Sequence, residues 1–177
     1  ERDQAAWHEL VRRYAPVVWR VAAAHRLGTA DRNDVSQNTW VALAEHLAGM
    51  HTHSPPGHVH ALAIASLQQP DVTFWSAWKG PELCGCGALK ELDACTGEIK
   101  SMRTRPTFLR QGVGQAILDE ITRTDMGRGY RRLYLETGTG HACDAAHALY
   151  LRNGFAWCGA FGDYTATDFN VFMVKAL

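Results

Sequence analysis

The segment Arg110-Gln-Gly-Val-Gly-Gln115 has the composition of a loop that binds anions through its backbone. Its two glycines carry no side chain, so a ligand can approach the main chain closely. Val113, Ile117 and Ile121 recur at helical spacing and predict that a helix begins at about residue 112. The first N–H groups of a helix lack intrahelical acceptors and favour a pyrophosphate. A simple tight turn would explain the two glycines about as well, and both interpretations stay open on this motif alone.

The cysteines and histidines are the residues of this chain that could form a disulfide or a metal site. Of five cysteines, only Cys84 and Cys86 are close in sequence, and they lie in an apolar, strand-like run. Residues two apart on one strand point to the same side but lack the pairing geometry of a usual disulfide. The nine histidines occur without a Cys-x-x-Cys or His-Glu-x-x-His pattern. We therefore expect reduced cysteines and no metal.

The elements that would position the glycine loop can be read from periodicity and turn residues. Strands are predicted over 72–78, 83–89, 98–104, 132–136, 155–161 and 170–175, and helices over 112–126 and 145–152. Gly127 and Gly129 close the first of these helices. The order predicts an α/β (α+β) domain, with one mixed, mostly antiparallel sheet flanked by helices.

Short motifs follow one another in a fixed order in this part of the chain. A strand ends at Arg103-Thr-Arg-Pro106, the Gly-Val-Gly loop opens a helix, and a later helix reads Ala146-His-Ala-Leu-Tyr-Leu-Arg-Asn-Gly-Phe155. Over about residues 49–177 this order resembles the GNAT superfamily of N-acetyltransferases, and the Leu-Tyr and Asn-Gly-Phe pieces are its most telling part. The resemblance implies transfer of an acetyl (acyl) group from acetyl-CoA to a primary amine of a small molecule or peptide. Attack would be direct, within a ternary complex and without a metal.

The resemblance also implies which residues bind the acyl donor. Backbone groups of Met102 and Thr104 would align the pantetheine arm, with the Met102 amide near the thioester carbonyl as a donor to the oxyanion. Backbone N–H groups from Arg110 to Gln115 would hold the pyrophosphate. The complete implied binding set is Met102, Arg103, Thr104, Arg110, Gln111, Gly112, Val113, Gly114, Gln115, Ala146 and Tyr150. Two positions depart from the family pattern, Leu109 before the loop and Cys143 before the short helix.

Two catalytic roles are implied in the same way. An amine with a pKa near ~10 is mostly protonated at neutral pH and cannot attack until it loses a proton. Glu98 lies on the strand where many members place a general base, and Tyr150 matches the tyrosine that protonates the leaving thiolate. The alternatives are a strand-end carboxylate and a packing tyrosine. Acceptor identity is left open: Trp75, Trp78, Phe161 and Tyr164 could line an aromatic pocket or pack in the core.

The first 46 residues differ in composition from the rest of the chain and are predicted to be helical. Asp3-Gln-Ala-Ala-Trp-His-Glu-Leu10 and Ala30-Asp-Arg-Asn-Asp-Val-Ser-Gln-Asn-Thr-Trp40 resemble the start of region two of extracytoplasmic-function sigma factors. In that family the residues matching Asp34, Gln37 and Asn38 help to dock on RNA polymerase. We therefore divide the chain into a sigma-like helical segment, 1–46, and a GNAT domain, 47–177. The helical pair would replace the usual first strand and leave a sheet edge through which a homodimer could form.

Two functions from different classes follow from this division. In the first, the protein is an acetyltransferase and residues 1–46 are a structural lid or a relic of gene fusion. In the second, it is a non-enzymatic acyl-CoA-binding regulator that docks on RNA polymerase. The enzyme is favoured because the DNA-reading helices of sigma factors are missing and because 18 Lys and Arg balance 18 Asp and Glu, which disfavours nucleic-acid binding. No apolar run approaches the ~20 residues of a membrane span, and we expect a cytoplasmic, bacterial protein.

Overall fold

The computed structural model describes residues 69–80 and 82–177. The predicted helical pair in residues 1–46 and the loop after it lie outside the described residues. The described residues form six strands: β1 Val72–Lys79, β2 Glu82–Asp93, β3 Thr96–Thr104, β4 Arg132–Gly138, β5 Ala156–Cys158 and β6 Asn170–Ala176. In the same part of the chain lie two α-helices, α1 Val113–Arg128 and α2 Asp144–Arg152, and single 3₁₀ turns at Pro106–Phe108 and His141–Cys143.

The predicted element order is confirmed, with one strand shorter than predicted. The strand expected over 155–161 ends at Cys158. A turn closed by the Tyr164 N–H on the Phe161 carbonyl, with Gly162 at a φ of 55°, redirects the chain after it. Phe161 therefore leaves the sheet edge and packs its ring over Tyr134, with the ring centroids 4.7 Å apart.

The strands form one sheet in the order β1-β2-β3-β4-β6-β5. Only β3 and β4 run parallel, and the other four pairs are antiparallel. The predicted mixed, mostly antiparallel sheet is therefore confirmed in the described part of the chain. A parallel pair needs a crossover connection, and α1 provides it between β3 and β4.

The pairing register divides the side chains of the sheet into two faces. Ile99 pairs with Leu135, which pairs with Met173. These three residues belong to the main hydrophobic core with the inner positions of α1, Ile117, Leu118 and Ile121. We call this side the helix face. The opposite side carries Glu98, Lys100, Tyr134, Glu136 and Phe172, and we call it the second face.

Two glycines of β2 allow α1 to lie close to the sheet. A β-carbon on Gly85 would lie 2.6 Å from the Arg103 carbonyl oxygen and 2.8 Å from a Val113 methyl. On Gly87 it would lie 2.7 Å from an Ile117 methyl. Real side chains do not tolerate such separations, so glycine is required at these two positions of β2.

A bulge in β3 decides which side chains reach the helix face near the end of that strand. The pairing with β2 passes over one extra residue of β3, at Ser101, whose φ is 54°. An extra residue changes the face of every side chain that follows it. Met102 and Thr104 consequently lie on the helix face, where strict alternation from Ile99 would have placed Ser101 and Arg103.

Asp125 is a buried carboxylate on α1. It is fully shielded from solvent, and neither oxygen has a hydrogen-bond partner among residues 69–80 and 82–177. Burial raises the pKa of Asp125 to about 7, against a smaller opposing effect of Arg128. An unfolded aspartate titrates near ~3.9. The folded protein therefore binds the extra proton between about pH 4 and 7, and stability falls as pH rises through that window.

We expect Asp125→Asn to stabilise the protein at alkaline pH, because the amide is neutral at every pH. The variant's advantage in free energy of unfolding should grow by about 2–3 kcal/mol between pH 5 and pH 8. Chemical denaturation at the two pH values measures it. Asp119→Asn, an exposed position on the same helix, is the control and should show little change. An Asp125→Asn effect of equal size at both pH values would contradict the assignment.

Candidate active site

The parallel strands β3 and β4 separate at the centre of the sheet. Their pairing runs from Thr96 with Arg132 to Ile99 with Leu135 and ends there. Both strands continue, β3 to Thr104 and β4 to Gly138. Beyond Ile99, β3 remains paired to β2 on its other side. The backbone groups of its last residues that face β4 thus have no strand partner within the described residues.

The N-terminus of α1 is built as a backbone donor site. Gly112 forms the N-cap at a φ of 83°, without a side-chain capping bond. The preceding Arg110 is also left-handed, with a φ of 59°. The first helical bond runs from Ala116 N to the Gly112 carbonyl, so the N–H groups before Ala116 point out of the helix end. A β-carbon on Gly112 would meet nothing within 4 Å, which leaves space over this helix end.

The end of β3, the start of α1 and the middle of α2 meet at Gly114. A β-carbon there would lie 3.4 Å from a Leu149 methyl and 3.6 Å from the Thr104 Oγ1. Gln115 joins the same helices, since its amide exchanges two hydrogen bonds with Asn153, of 2.7 and 2.9 Å. The structure thereby brings the predicted binding segments 102–104 and 110–115 together beside the helix that carries Ala146 and Tyr150.

The other predicted binding residues occupy different surroundings. The Gln111 side chain donates to the Thr107 carbonyl at 2.9 Å, and Ala146 packs against the core. Arg103 projects from the second face beside Cys86, where burial raises the pKa of the thiol to about 12 and Arg103 acts in the opposite direction. The Arg103 side chain is therefore not brought to the helix end, and only its backbone adjoins the separated strands. Leu109, one of the two departures, is exposed.

Tyr150 lies in the core on the helix face. It is 6% exposed, and its ring meets Phe155 edge to face at 5.5 Å. This contact gives the Asn-Gly-Phe motif a structural role, with Gly154 turning at a φ of 84° so that Phe155 folds back. Burial, and then the nearby Cys143, raise the pKa of Tyr150. The hydroxyl therefore stays protonated throughout the neutral range.

Glu98 lies on the second face and is only 2% exposed. Its Oε1 accepts a hydrogen bond of 2.6 Å from the Tyr164 hydroxyl and one of 2.9 Å from Lys100 Nζ. Lys100 is also buried, and it donates to the Tyr164 oxygen as well. The three groups form a closed triangle, with the lysine charge balancing the carboxylate.

Sequence reasoning missed two members of this face, Lys100 and Glu136. Burial raises the pKa of Glu136, as does the Glu98 charge to a lesser degree, while Lys100 lowers it. Lys100 lies two residues after Glu98 on one strand, and this spacing indicates that the two side chains share a face. No such local spacing relates Glu136 to Glu98, because their shared face depends on the β3–β4 register.

Tyr164 is held in place by the loop between β5 and β6. Its ring packs against Phe161 and Phe172, at 5.1 and 5.8 Å. The buried Asn170 accepts from the Thr167 N–H at 2.9 Å and donates to the Thr165 carbonyl at 3.1 Å. Phe161 and Tyr164, two of the four predicted aromatic candidates, thus lie near Glu98.

The two tryptophans of that group have other surroundings. Trp75 packs against the core, and the indole N–H of Trp78 donates to Ser76 at 2.9 Å. Across residues 69–80 and 82–177, no three His, Cys, Asp or Glu side chains gather as a metal site would require. The helices of that same part are too short or too polar to span a bilayer.

The chain is similar in sequence to known proteins. The model of the Acetyltransferase (GNAT) family matches residues 5–155. The chain is 50% identical over 146 residues to the uncharacterized N-acetyltransferase YsnE of Bacillus subtilis, covering 82% of this chain and 97% of YsnE. It is 34% identical over 119 residues to the IAA acetyltransferase of Azospirillum brasilense, covering 67% and 76%. These matches do not support a sigma-like segment, and the division at residues 46 and 47 stays a prediction.

Solved structures agree in fold. A protein from Klebsiella pneumoniae described as an acyl-CoA N-acyltransferase superposes with a TM-score of 0.64 and 29% identity, covering 77% of this chain and 88% of that one. A GNAT acetyltransferase from Elizabethkingia anophelis with acetyl-CoA bound gives a TM-score of 0.52 at 20% identity, covering 60% and 77%. With the family model matching most of its length, this chain belongs to the GNAT family of acetyltransferases.

Proposed function

We propose that the protein transfers an acetyl group from acetyl-CoA to a primary amine of a small molecule or peptide, by direct attack in a ternary complex. The observation that carries the proposal is the separation of β3 from β4 beside the uncapped start of α1. Family membership supports acyl transfer from acetyl-CoA. The amine acceptor and the roles of individual residues are the proposed part.

The residues at the separation fit the chemistry of the acyl donor. The N–H groups before Ala116 form a donor set for a pyrophosphate, and the space above Gly112 admits it. The edge of β3 that faces away from β2, which has no strand partner among the described residues at Met102 to Thr104, offers amides and carbonyls to the pantetheine arm. The Met102 amide would donate to the oxygen of the thioester carbonyl as negative charge develops there.

Two side chains supply the proton transfers in this proposal. Tyr150 donates its hydroxyl proton to the departing thiolate, and burial keeps that hydroxyl protonated until then. Glu98 accepts a proton that originates on the amine. They lie on opposite faces of the sheet, which allows the donor and the acceptor to approach the separated strands from different sides.

Binding of acetyl-CoA tests the cofactor part of the proposal. At 100 times its Kd, acetyl-CoA should stabilise the wild-type protein by about 2.7 kcal/mol, which raises Tm by roughly 5–10 °C. We expect Gly112→Leu to remove that shift, because the side chain fills the space reserved for the pyrophosphate. Differential scanning fluorimetry with and without acetyl-CoA measures both.

A matched control is available at the other end of α1. Gly129 is also left-handed, with a φ of 79°, and a β-carbon there would likewise meet nothing within 4 Å. Gly129→Leu should lower the basal Tm as Gly112→Leu does, through backbone strain of about 1–2 kcal/mol, yet keep the acetyl-CoA shift. If Gly112→Leu also keeps the shift, the ligand binds elsewhere.

Transfer itself is measured by release of free CoA thiol in the presence of an amine panel. The panel should include aliphatic amines, amino acids and peptide N-termini, together with IAA because one relative is named for it. Thiol release that depends on an amine supports the proposal. Acetyl-CoA binding without transfer to any amine would support the alternative of a non-enzymatic regulator.

A further inference from the structure

The predicted general base is not accessible to a substrate of ordinary size. Glu98 is 2% exposed, and its Oε1 is already engaged by two donors. An amine nitrogen that approached Oε1 directly would have to displace one of these donors. A group that contacts Glu98 and extends farther toward solvent offers the proton of the acceptor a path that displaces neither donor.

Tyr164 is such a group. Its hydroxyl donates to Glu98 over 2.6 Å, and the residue is only half-buried. The Tyr164 ring is held in place because it packs against Phe161 and Phe172. A half-buried hydroxyl bonded to a buried carboxylate is the arrangement that a proton relay needs.

Lys100 fixes the orientation of this pair. Its ammonium group can only donate hydrogen bonds, and it donates to both Glu98 Oε1 and the Tyr164 oxygen. The tyrosine must consequently donate its own proton to Glu98 and cannot donate to Lys100. Lys100 is 8% exposed at its side chain, so the ion pair that it forms with Glu98 is shielded from solvent.

The other groups facing Glu98 come from both neighbouring strands. Lys90 is its register partner on β2, and Tyr134 is its partner on β4. Glu136 adds a second negative charge on β4. Burial is the largest cause that raises the pKa of Tyr164, and the hydrogen bond to Glu98 raises it further. A free tyrosinate is thus disfavoured, and a proton can leave Tyr164 only as another arrives.

We propose that Tyr164 relays the proton of the acceptor amine to Glu98, and that Lys100 is a positioning residue for this relay. The inference rests on the proposed amine acetylation and assigns its proton path. The acceptor arrives as an ammonium ion. One of its N–H bonds breaks, that proton joins the Tyr164 oxygen, and the original Tyr164 proton moves to Glu98. The freed amine nitrogen then bonds to the acetyl carbonyl carbon, the C–S bond breaks, and Tyr150 protonates the thiolate. The second proton that the nitrogen loses as the amide forms restores Tyr150 through solvent, and Glu98 returns its proton to solvent.

The test compares the pH dependence of Tyr164→Phe with that of the wild-type protein. Without the hydroxyl, the amine must lose its proton to water, so kcat/KM should fall about 10²-fold near pH 7. The loss should shrink roughly tenfold per pH unit as pH approaches the pKa of the amine. Tyr134→Phe removes a hydroxyl from the same face without touching the Glu98 bond and should behave as wild type.

Two further measurements separate the possible failures. The acetyl-CoA shift in Tm should be unchanged in Tyr164→Phe, and its loss would mean that the variant damages the fold.

Lys100→Met should move the acidic limb of the kcat/KM profile to higher pH, because the relay loses its adjacent positive charge. Wild-type activity in Tyr164→Phe, or an equal loss at every pH, overturns the relay. Absence of amine-dependent thiol release in the wild type overturns the proposed function instead.

Discussion

Tyr150→Phe is expected to lower kcat about 10²-fold while leaving the affinity for acetyl-CoA nearly unchanged. The substitution removes only the hydroxyl, and the ring keeps its edge-to-face contact with Phe155. A thiol with a pKa near ~8.5 can leave without assistance at neutral pH, so protonation accelerates departure but is not indispensable. The loss should be similar at all pH values, because burial keeps the Tyr150 pKa above the neutral range.

Steady-state kinetics and acetyl-CoA calorimetry measure this prediction. Tyr130→Phe is the matched control, since Tyr130 is a buried tyrosine of the same core whose hydroxyl bonds Glu91 at 2.9 Å, away from the separated strands. It should change stability and leave kcat unaltered. Full activity of Tyr150→Phe across the pH range would remove the acid role and leave packing as the function of this side chain.

Glu98→Gln should lower kcat/KM by about 10²–10³-fold at pH 6–7 and recover partly as pH rises. The amide keeps the shape of the carboxylate but cannot accept the amine proton. At low pH nearly all of the acceptor is ammonium, so loss of the base costs most there. As pH approaches the amine pKa, the free amine accumulates and the variant approaches the wild-type rate.

Glu136→Gln is the comparison that identifies the base. Glu136 lies on the same face, and its pKa is raised by burial and by Glu98, which makes it the rival carboxylate. We expect Glu136→Gln to keep at least about a fifth of the wild-type activity, well below the cost of losing a general base. A steep loss at low pH in Glu136→Gln, with an unaffected Glu98→Gln, would transfer the base role to Glu136.

Local sequence patterns predicted most of the elements and the position of the glycine loop at the start of α1. Alternation and helical spacing depend on residues within a few positions of one another, so the strands around Glu98 and the helix after Gly112 could be located directly. The glycine loop was interpretable for the same reason, because a helix N-terminus has unpaired donors in any fold. Tyr150 was identified through its local motif, and its burial agrees with the packing that such spacing implies.

Other features depend on contacts between distant parts of the chain. Gly85 and Gly87 lie inside a predicted strand, and only the approach of α1 shows why no β-carbon fits there. The short β5 follows from Phe161 leaving the edge to pack over Tyr134. The unpartnered Asp125 has the spacing of a core-facing helical position, yet its pKa near 7 arises from burial that no local pattern reports.

The second face shows most clearly what only the tertiary structure decided. Glu98 and Tyr164 are 66 positions apart in the chain, and Lys100 and Tyr164 are 64 apart. Sequence determined the types of these residues and the strand that carries two of them. Their contact required the β3–β4 register, the turn at Gly162 and the Asn170 bonds of the loop to act together. A hydrogen bond of 2.6 Å depends on the sum of these placements, whereas periodicity specifies only the side of an element on which a residue lies.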